Sequence, residues 1–206
     1  MTETENKMKQ LVFATTNEGK MKEIRMMLKD RDVLAKSLKD LDLHPDIVED
    51  GKTFEENALI KARALSKITG LLTLADDSGL EVDYMDKQPG IYSARWMGED
   101  TPYSQKNAAI IKNLENAKGK ERSARFVCAI AAVLPDGTEY VTRATIEGEI
   151  AYEERGKNGF GYDPILYVPE YDMTTGEMLP EDKNKISHRG KALQQMADLL
   201  VEKGVI

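Results

Sequence analysis

Leu74-Ala75-Asp76-Asp77-Ser78-Gly79-Leu80 is the stretch on which the reading of this chain turns. The apolar run at 71–75, interrupted only by Thr73, reads as a buried strand. It passes straight into two adjacent carboxylates, then Ser78-Gly79, then a second short extended piece at 80–83. Neighbouring carboxylates repel each other. A fold tolerates them at a strand end where a cation, a catalytic proton or solvent offsets the repulsion. Side chains alternate along an extended chain, so Asp76 and Asp77 are expected to point to opposite sides. One can then face a cleft while the other braces the backbone. Gly79 is expected to let the chain turn sharply and to permit close approach of a ligand. A plain surface turn is the alternative, since Asp, Ser and Gly are common turn formers.

Working outward, Leu11-Val12-Phe13-Ala14 is a short apolar strand that leads through residues 15–20 into a helix. Met21, Ile24, Met27 and Leu28 fall at helical spacing on one face of it. A second strand is expected at 32–35, then an irregular acidic stretch at 37–51. Thr53 and Glu56 form a T-x-x-E capping box opening a helix to about Gly70, with Phe54, Ala58, Ala62 and Leu65 as its buried face. Pro89 opens a turn, and Thr101-Pro102 begins a helix carrying Ala108, Ile111 and Leu114. Strands at 125–134 and 138–150 flank Pro135-Asp136-Gly137, a hairpin signal. A glycine-rich loop spans 156–162, and 164–168 is strand-like. Ser187 caps the last helix, whose apolar face is Leu193, Met196 and Leu200. Early alternation of strands and helices around a central hairpin gives an α/β protein, elongated, with a mixed central sheet and flanking helices. Residues 10–203 are expected to form a single domain, with 1–9 a polar N-terminal extension.

The chain has 206 residues, of which 41% are hydrophobic, enough for a packed core without staples. Its net charge of -7 argues against a nucleic-acid binder, which would carry a basic excess. A few local Lys and Arg can still build a positive pocket for an anionic small ligand. Cys128 is the only cysteine and sits in an apolar run, so it is expected as a buried core thiol. One cysteine and two distant histidines exclude a Cys-based zinc site and a His metal cluster. The first ten residues lack the apolar core of a signal peptide, and no run approaches the ~20 residues that span a bilayer. A cytoplasmic protein without a membrane partner is expected.

Four stretches carry chemistry. Thr15-Thr16-Asn17-Glu18-Gly19-Lys20 lies between a strand and a helix, where backbone amides and the helix dipole favour an anion. It is a candidate phosphate cradle, though not a P-loop; an ordinary strand-to-helix turn is the alternative. Glu49, just ahead of the capped helix, pairs with Asp77 as the oxygen ligands that Mg²⁺ takes beside phosphate oxygens and water. A solvated acidic loop is the alternative there. Gly159-Phe160-Gly161-Tyr162-Asp163 sets glycines around one aromatic ring, which suits a flat base stacked on Phe160 with Asp163 accepting from its edge. The alternative tucks Phe160 into the core. Lys183 and Ser187-His188-Arg189-Gly190-Lys191 bring cationic groups to the start of the last helix, against its dipole, where an electron-rich ligand would relieve the conflict. A surface basic cluster beside acidic residues 177–182 is the alternative. Together they make the inventory of a nucleoside triphosphate site using a hard metal.

At these residues the chain resembles the inosine/xanthosine triphosphate pyrophosphatases, house-cleaning enzymes of the nucleotide pool. The resemblance runs from about Leu11 to Leu200. It is carried, in order, by Thr15-x-Asn17-x-x-Lys20, Thr53-Phe54-x-Glu56-Asn57-Ala58, Asp76-Asp77-Ser78-Gly79-Leu80, Pro89-Gly90-Ile91-Tyr92-Ser93-Ala94-Arg95, Gly159-Phe160-Gly161-Tyr162-Asp163-Pro164 and Ser187-His188-Arg189-Gly190. It implies Mg²⁺-dependent hydrolysis of ITP, dITP and XTP to nucleoside monophosphate and pyrophosphate. It also implies a homodimer with two lobes around a substrate cleft. By the same resemblance, Asp77 is the proton acceptor and a metal ligand, Glu49 a second metal carboxylate, and Lys20 a catalytic cation. Thr15, Thr16, Asn17, Glu18, Gly19 and Lys20 form the triphosphate loop. Ser78, Phe160, Gly161, Tyr162, Asp163, Lys183, His188 and Arg189 contact substrate. A nucleotide sensor without turnover, and a pyrophosphatase for pyrimidine or modified nucleotides, are the competing readings.

Overall fold

In a computed structural model, residues 9–29, 31 and 33–206 are described, with the side-chain surroundings of residues 19, 23 and 27 outside that description. The N-terminal extension therefore lies outside the described residues up to Lys9, as do Asp32 at the expected start of the second strand and the packing of Met27. By residue range the strand order is 33–37, 9–13, 72–82, 123–133, 139–150, 166–168 and 173–174, with 88–89 beside 72–82, and the chain divides into two compact units.

The first unit comprises residues up to Asp77, 129–143 and 190–206. Strand β1 (Lys9–Phe13) pairs in parallel with β2 (Val33–Ser37) and with β3 (Leu72–Val82), Leu11 lying opposite Leu72 and Phe13 opposite Leu74. Parallel strands are covered on both faces, which explains why residues 72–76 are buried without a break. Helix α1 (Glu18–Leu28) links β1 to β2, and α2 (Phe54–Thr69) leads into β3.

Local chemistry sets the bounds of α2. The Thr53 hydroxyl accepts from the Glu56 amide at 3.1 Å. Glu56 reaches back to the amide of Lys52 at 2.6 Å rather than to that of Thr53, so the capping box is shifted by one residue. Gly70 ends the helix in the left-handed region at φ 65°, a conformation that costs a β-carbon-bearing residue about 1 kcal/mol or more. Phe54, Ala58, Ala62 and Leu65 are buried, and burial of each large member contributes roughly 1.5–3 kcal/mol. Leu65 meets Val12 and Leu38 in one core cluster. Helix α5 (His188–Glu202) buries Leu193, Met196 and Leu200, as its periodicity requires.

The largest correction concerns β3. It is one continuous strand of 11 residues through Asp76, Asp77, Ser78 and Gly79. Gly79 is not among the positive-φ glycines, and the expected sharp turn is absent from it. Burial changes instead of direction: unbroken up to Asp76, then alternating from Leu80 to Val82.

The second unit comprises 78–128 and 144–189. Strand β4 (Gln88–Pro89) pairs antiparallel with the end of β3. Helix α3 (Tyr103–Asn113) begins one residue after Pro102. It buries Lys106, Asn107 and Ile110, while Ala108 is exposed. Strands β5 (Ser123–Val133) and β6 (Glu139–Ile150), each divided between the two units, form the expected hairpin, its turn in the first unit closed by the Thr138 amide donating to the Asp136 carboxylate at 2.8 Å. Strands β7 (Leu166–Val168) and β8 (Met173–Thr174) continue antiparallel from β6. A short helix, α4 (Pro180–Ile186), precedes α5 and carries Lys183, which the sequence reading put at the start of the last helix.

Arg122 is almost fully buried, yet its guanidinium is satisfied by four carbonyls, those of Leu114, Ala117, Ile150 and Ala151. It ties the end of α3 to the end of β6, from which the glycine-rich loop departs. Cys128 is buried, as expected. Among the described residues no helix is long and apolar enough to cross a membrane.

Candidate active site

In the first unit, two carboxylates adjacent on β3 have separate partners. Asp76, 2% exposed, receives the Lys20 ammonium on both oxygens, at 2.9 and 3.1 Å. Asp77 accepts from the Asn57 side-chain amide at 3.1 Å and lies 3.6 Å from the Lys61 ammonium. The same ammonium is 2.8 Å from Glu49. The alternation of an extended chain thus gives each carboxylate its own cation.

Asn57 has a second task. Its carbonyl oxygen accepts from the Gly51 amide at 2.9 Å, which fixes the loop that carries Glu49. A β-carbon on Gly51 would lie 2.6 Å from that oxygen, so close approach requires glycine here. Asn57 and Lys61 are four residues apart on α2 and therefore share a face. The sequence reading gave neither a role. That spacing, aimed at a strand ending in two carboxylates, was the available signal.

Three carboxylates (Glu49, Asp76, Asp77) face two ammoniums (Lys20, Lys61), so negative charge is in excess. Burial pushes the Asp77 carboxyl above its ordinary value, and the charges of Glu49 and Asp76 push the same way; Lys61 and Asn57 oppose them. Lys61 titrates higher than usual: burial lowers it, but the three carboxylates outweigh that. Among the described residues no group of three or more His, Cys, Asp and Glu forms a metal cage.

The phosphate-loop candidates sit between β1 and α1. The Asn17 side chain caps α1 by accepting from the Lys20 amide at 3.1 Å, and the buried Thr15 hydroxyl accepts from the Asn17 amide at 3.1 Å. Thr16 and Glu18 are exposed, and Glu18 lies 3.3 Å from Lys39. Gly19 falls within the first turn of α1.

In the second unit, the loop at 156–163 presents Phe160, which is 51% exposed. The ring is not tucked into the core. It has cations above it: the Lys183 ammonium at 5.5 Å and the Arg189 guanidinium at 5.9 Å from its centroid. Its neighbours serve the loop's shape. Tyr162 is buried, packs edge-to-face on Tyr103 at 5.1 Å and donates to the Ser93 carbonyl at 2.8 Å. Asp163, 3% exposed, accepts from three protein donors, namely Lys183 at 2.6 Å, the Phe160 amide at 2.8 Å and Thr175 at 2.9 Å. These contacts brace the loop. Gly161 adopts φ 66° beside the Tyr103 ring.

Ser78 accepts from Arg189 at 3.3 Å, and the His188 ring lies 5.0 Å from that of Phe126. The Pro89–Arg95 motif is largely architectural: Ser93 accepts from the Leu80 amide and donates to the Gly90 carbonyl, at 2.9 and 2.6 Å.

Comparison with known proteins decides the family. The model of the Ham1 family matches residues 11–199. The chain belongs to the Ham1 family. It is 47% identical to a dITP/XTP pyrophosphatase of Bacillus licheniformis over 193 residues, covering 94% of this chain and 98% of the relative. It is 46% identical to one from Geobacter sulfurreducens, covering 96% and 100%. A solved HAM1 protein from Coxiella burnetii superposes with TM-score 0.88 at 42% identity, covering 95% of this chain and 100% of that one. This Ham1 chain thus has the α/β fold with a mixed sheet and helices that the sequence called for.

Proposed function

We propose that this chain hydrolyses dITP, XTP and ITP to nucleoside monophosphate and pyrophosphate. The names of the relatives support the substrate class. The observation that carries the chemistry is Asp77, a largely buried carboxylate held by Asn57 and Lys61 with its proton affinity raised. A carboxylate shifted this way is a better base at neutral pH than an ordinary one. Asp77 takes the proton of the attacking water, while Asn57 and Lys61 fix its direction. Phosphoryl transfer otherwise depends on positioning and charge neutralisation. Lys20, at the first turn of α1, is the cation for the phosphates, and residues 15–20 cradle them at the helix N-terminus.

The residues fit a hard divalent ion. Glu49 and Asp77 already share one cation in the Lys61 ammonium, and two carboxylates are what Mg²⁺ typically takes beside phosphate oxygens and water. When bound, Mg²⁺ would neutralise charge developing on the phosphates.

The second cluster reads the base. Phe160 stacks on it, with the Lys183 ammonium 5.5 Å from the ring centroid. Arg189 and His188 donate to a 6-oxo group, where adenine presents a donor of its own and is repelled. Within the same proposal, residues 10–203 form one catalytic domain. The unit boundaries at 77/78, 128/129 and 143/144 fall inside β3, β5 and β6 rather than in linkers, which supports that assignment. A cytoplasmic homodimer belongs to the same proposal.

The test is release of pyrophosphate and orthophosphate with Mg²⁺ across inosine, xanthosine, deoxyinosine, guanosine, adenosine and pyrimidine triphosphates. Pyrophosphate from inosine and xanthosine forms is the expected result. Orthophosphate alone, or no release, would overturn it.

A further inference from the structure

The region 171–181, around β8, matches no motif strongly, yet it is hydrogen-bonded along the Phe160 loop. The Gly176 carbonyl accepts from the Asn158 amide at 2.8 Å, and its amide donates to the Asp163 carbonyl at 2.9 Å. The Thr174 hydroxyl donates to the Arg155 carbonyl at 2.7 Å, and the Met178 carbonyl accepts from Asn158 at 3.0 Å. A β-carbon on Gly156 would sit 2.1 Å from the backbone of Gly176. The loop is therefore moulded on this segment, backbone against backbone.

Thr175 lies at the centre of that contact and is 1% exposed. Its hydroxyl lies 2.9 Å from Asp163 Oδ1 and 3.0 Å from the Asp163 carbonyl oxygen, both acceptors. The other carboxylate oxygen, Oδ2, takes Lys183 at 2.6 Å and the Phe160 amide at 2.8 Å. The single hydroxyl proton is shared between these acceptors, and its hold on Oδ1 opposes rotation of the carboxylate about its last bond, so the hydroxyl helps to fix where Oδ2 points. Oδ2 in turn holds both the cation over the Phe160 ring and the backbone amide from which that ring projects.

We propose that Thr175 is a positioning residue for nucleotide binding: through Asp163 it sets the placement of Phe160 and Lys183. This rests on Phe160 being the base-stacking ring. Thr175 itself touches no reacting atom, so its effect falls on binding and not on chemistry.

The experiment compares Thr175→Val and Thr175→Ser with the unaltered chain, alone and combined with Phe160→Ala. Steady-state kinetics on dITP are measured, together with amide hydrogen exchange at Phe160. Valine keeps the shape but removes the hydroxyl. KM for dITP should rise roughly tenfold, the scale of losing one hydrogen bond to a charged group, with kcat changed less than about twofold. Exchange at the Phe160 amide should quicken, and serine should restore both. In the Phe160→Ala background the valine change should add less to KM than it does alone, because its route through the ring is gone. An unchanged KM with unchanged exchange would overturn the inference, as would a loss confined to kcat or a full additive effect without Phe160. If the unaltered chain fails to turn over dITP, or Phe160→Ala leaves KM unmoved, the functional reading has failed; unchanged exchange would then refute the positioning claim separately.

Discussion

The two clusters solve opposite problems. In the first unit, charged side chains from β3, α1, α2 and the loop before α2 meet with carboxylates in excess, and the geometry is held by ionic contacts between distant parts of the chain. In the second, one loop is held by hydrogen bonds to the segment around β8 and by one buried ion pair, and an apolar ring is left exposed. Charge tension concentrates proton affinity on Asp77. A moulded loop concentrates shape on Phe160. Substitutions in the first cluster should therefore appear in kcat, and those in the second in KM.

The strongest way to break this comparison is Asp77→Asn. Turnover of dITP should fall by about 10²–10⁴, the range for loss of a general base, with folding nearly intact. Near-normal kcat by pyrophosphate release would remove Asp77 from the chemistry. Lys61→Met is next. Without the ammonium, burial and the charges of Glu49 and Asp76 act on Asp77 with less opposition, so its carboxyl should titrate higher still. The acidic limb of kcat/KM should move to higher pH. A limb that stays in place would show that Lys61 does not act through Asp77.

How much of this was legible beforehand follows the same division. Periodicity exposed the faces of α2 and α5, and Pro135-Asp136-Gly137 announced its hairpin, because those signals are local. The strand through Gly79 was misread because Asp-Asp-Ser-Gly is turn-forming by composition, whereas pairing with β1 and β4 at its two ends keeps the chain extended. The site residues were found as types but not as partners. Nothing local says that Lys20 will meet Asp76, 56 residues on, or that Asp163 will be filled by Lys183 and Thr175. Buried Arg122 and Lys106 were invisible for a related reason: their hydrogen-bond partners are backbone carbonyls, which carry no sequence signature.

A smaller effect sharpens the second half of the comparison. Phe160→Ala should raise KM for dITP roughly fivefold to a hundredfold, the worth of one base stacked on an aromatic ring, while kcat stays within about twofold. Inosine and xanthosine forms should suffer alike, since every base has a flat face. A fall in kcat at constant KM would assign Phe160 to the chemical step instead.

The smallest effect separates two carboxylates that are close in sequence and opposite in behaviour. Asp83 follows directly on β3 and is gripped by Arg125 and Ser123, which lower its carboxyl to about 2. Asp77, buried beside other carboxylates on the same strand, is raised. A carboxyl lowered in the folded state contributes stability above its unfolded value of 3.8 and loses it as pH falls through about 2. A raised one does the reverse, because ionising it opposes folding at neutral pH. Asp83 is partly exposed, so solvent reduces its share to at most about 1 kcal/mol. Asp83→Asn should therefore lower the urea midpoint at neutral pH, and the deficit should shrink as pH falls from 3.8 toward about 2. Asp77→Asn should drift the other way, gaining relative to the unaltered chain as pH rises. Parallel slopes for the two variants would mean that the burial of Asp77, and the proton affinity built on it, has been misjudged.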